Sequence, residues 1–324
     1  MASSPEPIAA AAATARPRTH AAARRATLPP YVYFIAPALA VYLAFFVYPT
    51  VIAFWLGAFN WSGIGTSMAF VGLANFAQIL SSAPFYRAAS HNLAMFVAIF
   101  ALQNTVSLGL ALLLNRRSRW SHVYRAIIFL PAITSAIATG FIWDTLLSPN
   151  IGALNPLLRD IGLGSLQRNW LAESTLALPV VTLIQFWQLN GIAVVLYLAG
   201  LQGVPEELRQ AARIDGADAW LTFRHVTFPL LAPAFTIVTV LTFIFVFRSF
   251  DLIYVLGGPT GAPDGATSVL GTLIYSDAFG AGGSFGSNMH MSYGIAEGVT
   301  LFVIVAVVSA LLLTALGRRE RDLQ

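Results

Sequence analysis

The sequence predicts an all-α integral membrane protein of six transmembrane helices, with both ends of the chain in the cytoplasm. Three observations carry this expectation. Hydrophobic residues make up 57% of the 324 residues, charged residues 10%, and the mean hydropathy is +0.72, whereas soluble domains carry roughly a quarter charged residues. Six apolar stretches each reach the ~20 residues that a helix needs to cross a ~30 Å hydrocarbon core. Arginines gather in alternate connections, as cytoplasmic retention of positive charge requires.

The elements follow in order. The first 27 residues are rich in Ala, Pro and Arg and lack a long apolar run. A disordered cytoplasmic tail is expected there, with a transit peptide as the competing reading. Residues 28–324 form the membrane domain, with spans over 31–55, 92–114, 126–147, 176–200, 229–256 and 293–316. The fifth is longer than the core is thick, so it should tilt or protrude, and its polar end holds Arg248, Ser249 and Asp251. Arginines at 16, 18, 24 and 25, at 116, 117, 119 and 125, at 209, 213 and 224, and at 318, 319 and 321 alternate with poor loops. Six spans with both termini inside satisfy the bias at every loop. The loop from Gly257 to Met291 is Gly-rich, a short interfacial helix fits Ala74 to Leu80, and neither a soluble domain nor a short repeat is visible.

Composition also excludes functions. There is no cysteine, so thiolate metal sites and cysteine nucleophiles are ruled out. All eighteen basic residues are arginine, and a phosphate-binding P-loop needs a lysine. If ATP drives this protein, another chain binds it. The five histidines are dispersed, so no metal site is expected. Nor is nucleic acid an expected partner, or any cofactor bound directly.

The most informative stretch lies between spans four and five. Pro205 can open a helix with Glu206 and Glu207 in its first turn, and Leu208, Ala211, Ala212 and Ile214 give it an apolar side. Gly216 then permits a sharp turn before a second short helix holding Trp220 and Phe223. Such a helix suits docking against another protein, or lies as an ordinary amphipathic connector at the membrane surface. The residues alone leave both readings open.

From Glu206 to Pro233 the chain resembles the signature loop of permeases in binding-protein-dependent ABC importers. The matching positions include Gln210-Ala211-Ala212, Asp215-Gly216-Ala217, Phe223, Val226, Pro229 and Pro233. Gln210 stands where the family usually has glutamate, and Phe228 where leucine usually precedes the proline. Further landmarks are Tyr33 to Pro37, Phe70 to Leu73 with Asn75-Phe76, Leu130-Pro131, Trp143, Gly152 to Asn155, Trp187 and Gly257-Gly258-Pro259. Together they are similar to the carbohydrate-uptake branch of the maltose and glycerol-phosphate type, first-permease type.

The resemblance implies a type I ABC importer permease in a bacterial or archaeal cytoplasmic membrane. The implied partners are a second permease subunit, an ABC ATPase dimer holding ATP and Mg, an extracytoplasmic solute-binding protein and membrane lipid. Glu207, Gln210, Ala211, Ala212, Asp215, Gly216 and Ala217 would seat in the ATPase and couple its cycle to alternating access. The cargo implied is a sugar or sugar derivative.

Polar groups inside spans nominate a pathway. Gln185, Gln188 and Asn190 beside Trp187 are the densest group, and amides with aromatic rings suit sugar hydroxyls and ring faces. The same amides can instead hold a neighbouring helix. The resemblance places pathway residues at Gln188, Thr242, Phe245, Ser249 and Ser135. Arg248 and Glu297 are the charges nearest the membrane interior, and each can meet substrate or pair internally.

Two other functions fit less of the sequence. A stand-alone secondary transporter of a small polar solute would show intramembrane carboxylates and an internal repeat, and beyond Asp144 and Glu297 neither is visible. An intramembrane serine protease would have to use Ser284 and His290, which sit in a Gly-rich loop. No catalytic residue is therefore assigned.

Overall fold

The computed structural model describes residues 30–115, 119–280 and 290–321. The N-terminal tail, Arg116, Arg117 and Ser284 lie outside them. The described chain is mostly helical: α1 (Tyr33–Leu56), α2 (Ala74–Ser81), α3 (Ala83–Leu114), α4 (Ser121–Ile133), α5 (Ala136–Leu147), α6 (Leu154–Asp160), α7 (Ser174–Gln202), α8 (Glu206–Ile214), α9 (Ala219–Leu230), α10 (Ala232–Phe247), α11 (Asp251–Gly257), α12 (Leu270–Phe279) and α13 (Met291–Arg321). Two short strands, β1 (Phe59–Asn60) and β2 (Ala69–Phe70), pair antiparallel.

Among the described residues, α1, α3, α7 and α13 are each long and apolar enough to cross a membrane. Two further pairs reach that length only together, α4 with α5 bent by 97° and α9 with α10 bent by 64°. Taken as one broken span each, the pairs bring the total to six.

The breaks have local causes. Pro131 inside α4 offers no N–H, and Thr134 and Ser135 are both extended at ψ 137°, so the helical ladder stops before α5. At the second break Leu231 has ψ −2°, and Pro233 follows in the first turn of α10, where a missing N–H costs nothing. The apolar run from 229 to 256 is not one helix either. It ends at Phe247, Arg248 and Phe250 leave helical geometry, and α11 begins afresh at Asp251, whose charge suits a helix start. By contrast α3 begins well before the Asn92 expected from hydropathy, because Ser82 caps it by accepting from Phe85 N–H at 3.4 Å and Pro84 sits in its first turn.

By contacts the chain divides into residues 1–50 and residues 51–324. In the first, α1 contains a π-helical turn at Leu43–Val47. The second is organised around α10. Its buried Val238 and Ala234 meet Ala193, Tyr197 and Leu201 of α7 and Leu108 and Ala111 of α3. Farther along, Phe243 and Phe247 meet Phe85 of α3, Leu270 of α12 and Ala296 of α13. Asn92 ties three of these helices, donating to Val246 O at 2.8 Å and accepting from Leu270 N–H at 2.9 Å. Where α7 crosses α4, a Cβ on Gly191 would come within 2.8 Å of Ile128 O and 2.9 Å of Phe129 Cα. Only glycine allows that backbone approach.

Candidate functional site

The polar segment after α7 folds as helix, turn, helix. Glu206 and Glu207 lie in the first turn of α8, where carboxylates favour the helix dipole, and Glu206 pairs with Arg209 at 2.5 Å. At the far end Gly216 adopts φ +86°. Its N–H reaches Arg213 O at 3.1 Å, and Ala217 N–H reaches Ala212 O at 2.9 Å. This pair of bonds is a Schellman closure, whose left-handed residue is glycine because a Cβ strains that backbone. Asp218 then caps α9, accepting from Leu221 N–H at 2.7 Å.

The apolar side of α8 is turned outward. Leu208 is 46% exposed and Ile214 86%, with Ala211 exposed between them and Trp220 of α9 63% exposed nearby in sequence. Glu207, Gln210 and Asp215 are exposed too, whereas Ala212 and Ala217 are half-buried. Ala212 therefore does not share the open face expected for it. An otherwise charged helix holds its large apolar groups to the outside, fixed by caps at both ends of the turn.

The candidate pathway residues divide. Thr242 and Phe245 line one shallow recess between α7 and α10, a cavity of only about 10 Å³, together with Gln103, Leu189, Ala193 and Leu241. The Thr242 hydroxyl faces Gln103 Oε1 and, at 2.7 Å, Val238 O. Gln188 instead donates to Thr134 O at 3.2 Å, satisfying a carbonyl freed by the break beside Ser135, which is exposed. Asn190 accepts from Ser107 Oγ at 2.6 Å. Ser249 lies beyond the end of α10 and half-buried.

Sequence reasoning missed Gln103, Asn104 and Ser107. They occupy a π-helical turn of α3 at Gln103–Ser107, which sends Gln103 to Thr242, Asn104 to the Tyr197 hydroxyl at 2.5 Å and Ser107 to Asn190. The run Gln103-Asn104-Thr105 within an apolar span was the available signal. Of the two membrane charges, Arg248 is exposed, with no ion pair among the described residues, and Glu297 is enclosed against Asp277.

Comparison with known proteins follows the same lines. The family model described as the binding-protein-dependent transport system inner membrane component matches residues 103–322. A probable ABC transporter permease of Bacillus subtilis is 34% identical over 77% of this chain and 85% of its own length. A probable starch degradation products transport system permease of Thermoanaerobacterium thermosulfurigenes is 30% identical over 90% and 96%. The trehalose/maltose transport system permease of Thermococcus litoralis is 30% identical over 89% and 93%. The crystal structure of a bacterial ABC transporter involved in the import of the acidic polysaccharide alginate shares the fold, with TM-score 0.73, 22% identity, and coverage of 89% of this chain and 95% of that one. The chain thus belongs to the inner-membrane components of binding-protein-dependent transport systems.

Proposed function

We propose that this chain is a transmembrane subunit of an ATP-driven importer that carries a sugar or sugar derivative into the cytoplasm by alternating access. The observation that carries the reading is α8, an exposed helix with an outward apolar face closed by Gly216, in a family whose relatives here are named as sugar permeases. Exposing Leu208 and Ile214 to water gains nothing, and burying such side chains contributes roughly 1.5–3 kcal/mol each. Their cover on this reading is a separate ATPase, which holds ATP and Mg. A second permease subunit completes the pathway, and an extracytoplasmic binding protein delivers the cargo.

Closure of the ATPases would then move α8 as a rigid lever, and both ends of the chain would face the cytoplasm with α8. Thr242 and Phe245 are the pathway positions favoured by the recess they line, and Gln188, Asn190, Ser249 and Ser135, which do not line it, are further proposed positions. The absence of cysteine makes the test direct. A single Cys at Ala211 should crosslink to the ATPase in the assembled importer and be labelled only from the cytoplasmic side. Uptake by this chain without any ATPase, or labelling from outside, would sink the proposal.

A further inference from the structure

A cavity of about 330 Å³ opens where the end of α5 meets the segment before α7 and the segment after α11. It shares no residue with the recess between α7 and α10. Asp144, Leu147 and Ser148 line it from the end of α5, where the spacing i, i+3 and i+4 sets them on one helix face. Asn169 and Leu171 come from the segment before α7, and Pro263 from the segment after α11. Each wall is held by its own bonds. Past α5, Gly152 N–H reaches Ser148 O at 2.9 Å, and a Cβ on Gly152 would fall 2.3 Å from that oxygen, an approach that requires glycine. Before α7, Asn155 accepts from Trp170 Nε1 at 2.9 Å and donates to Arg168 O at 3.0 Å, while Glu173 accepts from Asn169 N–H at 3.3 Å. After α11, the Thr267 hydroxyl donates to Ala262 O at 2.9 Å.

The groups that fix these walls are engaged with one another. By contrast the Asp144 carboxylate, the Ser148 hydroxyl and the Asn169 amide have no hydrogen-bond or ion-pair partner among the described residues. A fixed frame with open polar groups is preorganised for a ligand, and ligand pockets of about 300–1,000 Å³ combine a few such groups with apolar walls. This cavity stands at the small end of that range, the scale of one ring. Its chemistry narrows the class. A calcium ion takes more oxygen ligands than one carboxylate brings, and no group of three His, Asp or Glu side chains able to hold a metal occurs among the described residues. An anion meets the charge of Asp144. An ammonium only donates, which leaves the Asn169 NH₂ unmatched. A neutral ring edged with hydroxyls suits all three groups, donating to Asp144, accepting from Asn169 and doing either with Ser148, with its carbon face on Leu147, Leu171 and Pro263.

We propose that this cavity binds a single ring of a neutral sugar, at a site separate from the recess between α7 and α10. α7 starts at Ser174, shortly after Ala172 of the cavity wall, and ends at Gln202, before α8, 29 residues or about 43 Å along. The cavity therefore lies at the opposite end of α7 from α8. In the orientation proposed above it opens on the extracytoplasmic side, where cargo arrives. Only that last step rests on the importer reading, and the binding itself does not.

The experiment is saturation-transfer NMR on the full-length chain in lipid nanodiscs, with glucose, galactose, mannose and xylose as probes and glucuronate, glucosamine and calcium for comparison. At least one of the neutral sugars should bind saturably. Asp144→Ala should weaken that binding about tenfold or more, the loss of a hydrogen bond to a charged group. Ala172→Trp, which fills the cavity from its rim, should abolish it. Both positions are exposed, so the fold should hold in either variant. Asp160→Ala, on α6 and outside the cavity, should leave binding unchanged. No binding by any of the four sugars, binding equal to that of the native chain in Asp144→Ala or Ala172→Trp, tighter binding of glucosamine or glucuronate than of the neutral sugars, or displacement by calcium would each overturn the proposal. Labelling of a Cys at Ala211 from outside would overturn the orientation and leave the binding result standing, so the two readings fail separately.

Discussion

Replacing Gly216 with valine isolates the rigidity of α8 from everything else in the bundle. A Cβ at this position meets nothing within 4 Å, so no clash arises and the whole cost is in the backbone. Holding an L-residue at φ +86° costs roughly 1–2 kcal/mol, and a β-branched one sits at the upper end. If the turn relaxes instead, the two bonds that close α8 are lost, at about 1 kcal/mol net each. Either route removes about 2 kcal/mol, or roughly a 30-fold drop in the equilibrium constant for the closed turn. The membrane helices should be untouched, because α8 has no fully buried side chain. In vesicles carrying the assembled importer, Gly216→Val should lower ATP-driven uptake by up to about 30-fold while insertion and expression stay normal. Gly216→Asn should lose only a few-fold, since Asn tolerates the left-handed region. Equal uptake by valine and glycine would refute the lever, and equal loss in the asparagine and valine variants would refute the backbone explanation.

Three other outcomes follow from the packing. Asn92→Leu leaves Leu270 N–H without its partner in a buried site, while Val246 O keeps the Ser249 N–H at 3.2 Å, and unfolding should show a loss of about 1–3 kcal/mol. Gly191→Ala forces α4 away from α7, because its Cβ meets backbone and not a flexible side chain, and should cost about 1–3 kcal/mol by the same measurement. Thr242→Val strands the Gln103 amide and should cost about 1–3 kcal/mol, whereas the double variant Thr242→Val, Gln103→Leu should recover most of it in a double-mutant cycle.

The helical membrane character was legible because it rests on composition and run length, and tertiary context cannot change either. Helix ends were less legible. Hydropathy stopped the second span at Asn92 because His91, Ser90 and Arg87 are polar, yet α3 continues to Ala83 on a Ser82 cap and a first-turn proline. It also carried the fifth span through Arg248 to Leu256, where φ and ψ at Arg248 and Phe250 end the helix. The turn at Gly216 was readable since glycine after a helical run has one common reason to be there. The polar run at Gln103 marked a place, but its bond to Thr242 was not readable, because that depends on a π turn that no local pattern announces.

The polar residues inside the spans illustrate why composition alone nominates too many pathway positions. In hydrocarbon an amide needs a partner whatever else it does. Gln188 is occupied by the carbonyl that the Thr134 break sets free, and Asn190 by Ser107, while Asn104 holds the Tyr197 hydroxyl. Each of these bonds joins two helices, so changing any of them alters how the bundle is held before it alters what a solute meets. Thr242 is also engaged, but its neighbour Phe245 is 39% exposed and opens onto the recess, with no polar atom of its own to satisfy. A ring in that position can be replaced without stranding a buried donor or acceptor. Substitution at Phe245 is therefore the change that separates transport from folding, whereas substitution at Gln188 or Asn190 confounds them.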